Sequence, residues 1–180
     1  MRHFLLCGLV FLAPPAMADW QAQVDRGANH VEFDAVGKPS LIKIHGASDK
    51  GVKGILTLKG QSLSGVCSFR LDTLTTGLST RDEHMKEKYL EVPRYPVAKL
   101  EILPVSVGSG NTSFNGKLSL HGVDHPVQGT LSLVKNGGSI SLDLQMTVKQ
   151  SDFQIAKASF AGITVKDDVA IKIHSEAPIR

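Results

Sequence analysis

Three residues of kinds that can transfer protons or bind anions stand close together in the chain, at Arg81, Asp82 and His84. Neighbouring positions of a short helix point in different directions, so these side chains do not easily converge on one reacting atom. The chain also has no Gly-x-Ser-x-Gly nucleophile motif. We therefore expect helix capping and ion pairing from the three residues, and we predict that the protein is not an enzyme.

A second group with possible chemistry is the histidine pair His121 and His125, which could suggest a metal site. The two residues flank a Gly-Val-Asp turn instead of lying one helical turn apart, and no cysteine accompanies them. This arrangement is more typical of a surface hairpin. We predict neither a metal site nor a bound cofactor.

The beginning of the chain has the pattern of a secretory signal peptide. Arg2 precedes an apolar run that ends at Ala13, and Ala16 and Ala18 place small residues where a signal peptidase cuts. The apolar run is too short for a transmembrane helix, which needs roughly 20 apolar residues. We predict that residues 1–18 are removed and that residues 19–180 form one exported domain. Only Cys67 would remain, so no disulfide bond could form within the chain.

The charge and the aromatic content of the chain exclude several classes of protein. It has 20 Lys and Arg against 17 Asp and Glu, with the two signs interspersed. That pattern is typical of an ordinary solvated surface and does not indicate a nucleic-acid partner or an anionic membrane. An outer-membrane barrel would need an aromatic girdle at each interface. Trp20, Tyr89 and Tyr95 are too few for two girdles.

The elements that must position these residues are mostly strands. Val31, Phe33 and Ala35 alternate with Glu32 and Asp34, and this period of two is typical of a half-buried strand. The same alternation recurs around residues 42–44, 67–71, 98–102, 118–120, 131–133, 140–148 and 169–173. Short turns separate these runs, and the two glycines at 137–138 give the strongest hairpin signal. The pattern predicts an all-β protein of about eight antiparallel strands in a barrel or sandwich.

One segment departs from the strand pattern, near residues 80–90. Thr80 and Glu83 have the spacing of a capping box, and Asp82 and Lys86 could form an ion pair one helical turn apart. We predict one short α-helix here, which Pro93 ends. Such a helix could simply cover one end of a barrel, or it could act as the lid of a cavity.

Four segments of the chain resemble the YceI-like family in order and spacing. They comprise Thr76 to Met85, Tyr89 to Pro96, Gly116 to Val127, and Ser151 to Ile155 followed by Val165 to Ile171. The N-terminal part fits less well, because the family's Lys-His-x-Gly pattern appears here as Lys43-Ile44-His45-Gly46. The resemblance implies a lipocalin-like extended antiparallel β-barrel with a long apolar cavity. It also implies a non-enzymatic periplasmic carrier of a polyisoprenoid, such as a prenyl lipid or quinone, or of another long-chain amphiphile.

Under this interpretation the aliphatic strand faces line the tube and the helix helps to close its mouth. The predicted cavity residues are Phe33, Ile42, Ile44, Phe69, Met85, Tyr89, Leu90, Tyr95, Leu100, Leu118 and Phe160. Arg81 and His84 are the candidates for contact with a polar head group, because arginine pairs with phosphate and histidine can donate or accept a hydrogen bond.

Periodicity does not decide whether a barrel of about eight strands is filled by its own side chains or holds a slender ligand. The small number of aromatic side chains favours a cavity, since large rings are too few to fill a long tube. Because a fold does not fix a function, a barrel without a ligand, acting as a protein-interaction or stress-response module, stays open as an alternative. The oligomeric state is open as well, with a dimer among the options.

Overall fold

The computed structural model describes residues 19–24, 27–39, 42–160 and 162–180. The predicted signal peptide lies outside them. The strands are β1 Trp20–Gln23, β2 Asn29–Lys38, β3 Ile42–Ser48, β4 Val52–Lys59, β5 Ser62–Arg70, β6 Val97–Ser106, β7 Asn111–Leu120, β8 Val123–Asn136, β9 Ser139–Lys149, β10 Ser159–Phe160, β11 Ile163–Val165 and β12 Asp168–Pro178. A helical segment begins with α1, Ser79–Glu83, and single 3-10 turns occur at Leu71–Thr73 and Gln150–Phe153.

The strands form one antiparallel sheet that curls strongly into a barrel, which confirms the predicted fold class. Its order is β1-β4-β5-β6-β7-β8-β9-β12-β2-β11-β10, and β3 pairs with β2. At one end of the barrel, a bridge between Ala22 and Ile179 joins β1 to β12. Two backbone hydrogen bonds between Gln21 and Arg180 strengthen this junction. Consecutive strands are mostly neighbours, as the short turns in the sequence predict.

The number of strands is larger than predicted, because interruptions divide two of the long strands. β1 pairs with β4 and β2 pairs with β3, so β1 with β2 and β3 with β4 form two consecutive sections of one long hairpin. Counted in this way, the barrel has eight positions. The short strands β10 and β11 extend it next to the end of β2. The hairpin at 137–138 is confirmed, because Asn136 pairs directly with Ser139.

One end of the barrel is solid. The inward side chains there are almost completely buried, and they include Leu56, Ile102, Phe114, Leu131 and Leu144. Aliphatic side chains from neighbouring strands interdigitate in such a core, and their burial supplies most of the favourable free energy of folding. The opposite end carries the helical segment and the β2–β3 hairpin.

The helical segment differs in detail from the prediction. α1 continues directly into a π-helical turn at His84–Tyr89. The predicted capping box is wrong, because Leu78 is the residue at the N-cap and no side chain caps the helix there. The carboxylate of Asp82 turns back instead and accepts hydrogen bonds from Thr75 and Thr76. It therefore ties the start of the helix to the loop before it. None of the helices in the described ranges is long and apolar enough to cross a membrane.

The predicted hairpin at His121 is confirmed, since Leu120 of β7 pairs with Val123 of β8, but the His121 ring turns inward from it. Its side chain is 10% exposed, and its Nδ1 lies 3.0 Å from the carbonyl oxygen of Phe153. The residue follows β7 with a φ of 53°. This left-handed backbone, together with Gly122, makes a tight turn that directs the ring toward the loop after β9. His125 is more exposed and its ring packs edge-on against Phe153.

Candidate functional site

A cavity of about 690 Å³ lies inside the barrel, at the end that the helical segment covers. Its size is within the range of roughly 300–1,000 Å³ that is typical of ligand pockets. Inward side chains of the strands form its sides, while the helical segment and the loop after β9 form its cover. Most of these side chains are aliphatic or aromatic, and they include Ala35, Ile44, Leu71, Leu74, Ala98, Leu120, Ile155, Val169 and Ile171.

The floor of the cavity lies about halfway along the barrel. Apolar residues from seven of the eight barrel positions, all except β8, form the last layer of its wall, and these are Val31, Val52, Cys67, Leu100, Leu118, Met146 and Ile173. Beyond this layer the inward positions belong to the solid core, as at Ile102, Leu144 and Phe114. The barrel therefore combines a closed, packed end with an open, apolar end.

The structure brings most of the predicted cavity residues together. Those that lie in the cavity wall are Phe33, Ile42, Ile44, Phe69, Met85, Tyr89, Leu90, Leu100 and Leu118. The side chain of Phe160 lies outside the described part of the chain. The alternation of apolar residues along the strands was sufficient to identify the strand members of this set, and the face shared by Met85 and Tyr89 identified the helical ones. Their contact with a ligand stays a prediction.

Tyr95 does not line the cavity, in contrast to its predicted place at the mouth. The chain reverses at Glu91, which has a φ of 43°, and the amides of Arg94 and Tyr95 donate to the Glu91 carbonyl. This turn carries the ring of Tyr95 onto His121, at 4.7 Å between ring centroids. Tyr95 therefore fastens the end of the helical segment to the β7–β8 turn.

Several wall residues were not predicted as site residues. The alternation already visible in the sequence extends to Met146 and Val148 of β9 and to Ile171 and Ile173 of β12. Their positions, two residues apart along each strand, could have identified them as inward residues. Phe153 lies in the turn after β9, where no strand period operates. Only the folded loop brings it to the cavity.

Several polar side chains of the cavity wall lie in and before the helical segment, among them Arg81 and His84. The guanidinium of Arg81 donates from Nε to the hydroxyl of Thr76 at 2.8 Å and from Nη2 to the Thr76 carbonyl at 2.7 Å. An arginine has five N–H donors, so these two bonds leave others for a ligand. Arg81 and His84 share a helix face at a spacing of three residues, which is why both reach the cavity.

Asp82 also contacts Thr76 and supports the loop before the helix. Desolvation acts to raise the pKa of the Asp82 carboxyl, but the hydrogen bonds from Thr75 and Thr76 outweigh it and hold that pKa below its usual value. The Thr76 hydroxyl connects the two residues, because it accepts from Arg81 and donates to Asp82. Arg81 and Asp82 thus meet at one hydroxyl, although neighbouring helix positions were expected to point apart, and both hold the loop before the helix.

Tyr89 links the helical segment to the short strand β10 across the mouth. Its hydroxyl accepts a hydrogen bond from the amide of Ser159 at 3.1 Å and donates to the Ser159 carbonyl at 3.3 Å. Tyr89 and Ser159 both belong to the cavity wall. We call this pair of hydrogen bonds the Tyr89–Ser159 latch.

Cys67 lies on the cavity wall near the floor. Burial raises the pKa of the Cys67 thiol to about 11, because an apolar environment disfavours the thiolate. A thiol of this kind is a weak nucleophile at neutral pH. The residue therefore behaves as part of the apolar wall, and no cluster of three or more metal-ligating side chains occurs within the residues that the structure describes.

The arrangement suits the binding of a molecule with one long apolar part and one polar part. The walls provide a mostly apolar tube, and the donors at the mouth can hold a polar or anionic group. Nothing in the geometry brings a nucleophile, a base and an oxyanion donor to one point among these residues.

Comparison with known proteins places this fold in context. The model of the YceI-like domain matches residues 23–177. BcnA of Burkholderia cenocepacia is similar in structure, with 21% identity, a TM-score of 0.69 and coverage of 82% of this chain and 96% of that chain. A polyisoprenoid binding domain from Saccharophagus degradans has 15% identity, a TM-score of 0.67 and coverage of 89% and 98%. A YceI protein of Campylobacter jejuni has 15% identity, a TM-score of 0.66 and coverage of 99% and 98%.

The two sequence comparisons differ in outcome. A search of curated proteins found no match, whereas the family model covers most of the chain, from the last residue of β1 to the penultimate residue of β12. The antiparallel barrel, its helical segment and the match over residues 23–177 agree with one another. The chain belongs to the YceI-like family.

Proposed function

We propose that this protein is a periplasmic carrier that holds the long apolar chain of an amphiphile inside its barrel. The observation that carries the proposal is the apolar cavity of about 690 Å³, which opens at the helical end and stops at a packed core. Leaving such a volume unfilled costs a protein stability, because the side chains around a cavity lose packing contacts. A ligand that fills it offsets that cost.

The capacity of the cavity fits one chain of moderate length. A methylene takes up about the room of a water molecule in the liquid, on the order of 30 Å³. The cavity of 690 Å³ therefore accommodates about 20 carbon-sized groups. Each buried methylene contributes about 0.8 kcal/mol, so the chain supplies most of the affinity.

A polyisoprenoid, such as a prenyl lipid or quinone, is the ligand class that we favour. The binding of a polyisoprenoid is stated for the related domain of Saccharophagus degradans, and the branched aliphatic wall of this cavity suits a methyl-branched chain. The signal-peptide pattern of residues 1–18 supports the assignment to the periplasm. In that compartment a hydrophobic chain needs a protein to keep it out of water.

Arg81 and His84 hold the polar head group in this proposal. Both lie at the mouth, and no ion pair found in the described ranges engages the Arg81 guanidinium. Arginine pairs readily with phosphate and with other anionic groups. A prenyl phosphate would therefore place its chain in the tube and its phosphate beside Arg81.

The first test is extraction of the purified protein with organic solvent, followed by mass spectrometry. A stoichiometric prenyl lipid or quinone supports the carrier. If the extract contains none, the delipidated protein without residues 1–18 is titrated with geranylgeraniol while the alkylation of Cys67 is followed. Binding should slow that alkylation, because the chain covers the thiol at the floor. No binding and no protection would leave the interaction module as the better account.

The second test separates the head group from the chain. Arg81→Ala and His84→Ala should weaken the binding of geranylgeranyl phosphate by about tenfold, as expected for the loss of one charge-assisted hydrogen bond. The same variants should bind a plain prenyl hydrocarbon as the parent does. Glu87→Ala, an exposed change on the same helical segment, is the matched control. Equal losses for both ligands would remove Arg81 and His84 from the site.

A further inference from the structure

We propose that Phe114 sets the length of chain that the cavity accepts, because its ring forms the stop behind the cavity floor. This inference rests on the proposed carrier function and adds a determinant of ligand length to it. Phe114 is 2% exposed and belongs to the solid core. It does not line the cavity itself, so only its position behind the wall gives it this role.

The order of inward residues along β7 places Phe114 next to the cavity. Leu120 and Leu118 lie in the cavity wall, Gly116 follows at the next inward position, and Phe114 comes after it. Inward residues of a strand are two positions apart. The cavity thus ends along β7 where a glycine replaces a side chain and a phenyl ring occupies the space.

The ring covers glycines of two neighbouring strands. A Cβ atom placed on Gly129 of β8 would lie 2.7 Å from Cε1 of Phe114, and one on Gly116 would lie 3.3 Å from its Cε2. Aromatic rings often cover glycines in this way in curved sheets. A side chain at either position would compete with the ring for the same space, so the two glycines fix where the ring lies.

The same glycines adjoin residues of the cavity wall. The Cβ position of Gly116 is 3.5 Å from Cδ1 of Leu100, and that of Gly129 is 3.1 Å from Cβ of Met146. Leu100 and Met146 both belong to the last layer of the wall. The Phe114 ring therefore lies in the layer directly behind the floor, and its removal would join its space to the tube.

A stop of this kind predicts how affinity depends on chain length. Each methylene that enters the tube should tighten binding roughly fourfold. Once the chain reaches the floor, further carbons remain outside and contribute little. The gain should therefore level off at about 20 carbons, which corresponds to four isoprene units.

The experiment measures the Kd values of prenyl alcohols of increasing length for the delipidated protein. We call the chain length at which affinity stops rising the levelling point. Phe114→Ala should move this point about one isoprene unit toward longer chains, because the vacated ring has about that volume. Leu118→Phe should move it toward shorter chains, since the larger side chain extends into the cavity. Leu131→Ala removes a buried residue one inward position beyond Gly129 and should leave the levelling point unchanged.

The outcomes distinguish the two proposals. If the parent protein binds none of the alcohols, the carrier function fails and the role of Phe114 fails with it. If the parent binds them but affinity levels off at the same chain length in Phe114→Ala, the role of Phe114 alone is overturned. Should Phe114→Ala not fold, Phe114→Leu decides, because it vacates part of the space of the ring and leaves a smaller core cavity.

Discussion

The carboxylate of Asp82 connects several parts of the mouth of this barrel by hydrogen bonds. It accepts hydrogen bonds from the hydroxyl of Thr75 and from the amide and hydroxyl of Thr76. Thr76 in turn holds the guanidinium of Arg81. The loop, the start of the helix and the candidate head-group arginine are therefore connected through one residue.

We predict a pH-dependent loss of stability for Asp82→Ala. The folded protein lowers the pKa of this carboxyl below its ordinary value of 3.8, so its contribution is complete above that value and is lost as the pH falls through the lower, folded-state pKa. At about pH 6 the variant should lose about 2 kcal/mol of unfolding free energy in urea titrations, the cost of leaving its donors unpaired.

The difference between the parent and Asp82→Ala should shrink as the pH falls below 3.8, toward the lowered pKa of the folded-state carboxyl. Glu83→Ala changes the exposed neighbour on the same helix and is the control. A loss that is independent of pH would show that Asp82 acts through packing and not through its charge.

The helical segment and β10 meet only at the margin of the cavity, where the Tyr89–Ser159 latch connects them. α1 and the π-helical turn cover the mouth from one side, and β10 reaches it from the other. A π-helical turn is rare and is frequent at functional sites. A ligand chain that enters or leaves at this end passes next to the latch.

We predict that Tyr89→Phe accelerates ligand release. The variant keeps the ring in the wall but loses both hydrogen bonds to Ser159, a cost of about 1–2 kcal/mol. If opening of the latch limits release, the dissociation rate of a bound prenyl lipid should rise by about tenfold in stopped-flow measurements. Tyr95→Phe removes a hydroxyl from a ring outside the cavity and should release the lipid at the parent's rate. Equal rates for all three proteins would contradict a role for the latch in gating.

The molecule as a whole divides its barrel between stability and binding. Near the β4–β5 and β6–β7 turns the inward residues form a packed core, while near the helical segment they line the cavity. The packed half carries the free energy of folding that allows the other half to keep a ligand-sized volume. Ligand binding should therefore raise the unfolding free energy of the whole chain.

We predict a large thermal stabilisation by a ligand that fills the tube. Geranylgeraniol at about 100 times its Kd should add about 2.7 kcal/mol to the unfolding free energy. For a chain of this size the Tm should rise by about 5–10 °C in a calorimetric scan. Geraniol, with the same hydroxyl and half the chain, is the control at the same concentration. It should give a much smaller rise, and equal shifts would show that the tube is not the binding site.

Much of this architecture could be predicted from the sequence. Alternation with a period of two fixes which side chains of a strand point inward, because a pleated strand turns successive side chains to opposite faces. This period alone identifies Ile44, Leu100 and Leu118 as inward residues. The helix near residues 80–90 and the hairpin at 137–138 follow from local propensity and turn chemistry in the same way.

Other features depend on contacts between distant parts of the chain, and only the tertiary structure decided them. Alternation says which side chains point inward but not whether opposite walls meet, so the cavity and its floor at Phe114 required the folded barrel. Tyr95 is placed by the reversal at Glu91, and the start of α1 is tied by Asp82 instead of by the predicted capping box. Local patterns determine the elements of this protein, whereas the volume between those elements depends on how side chains from different strands share space.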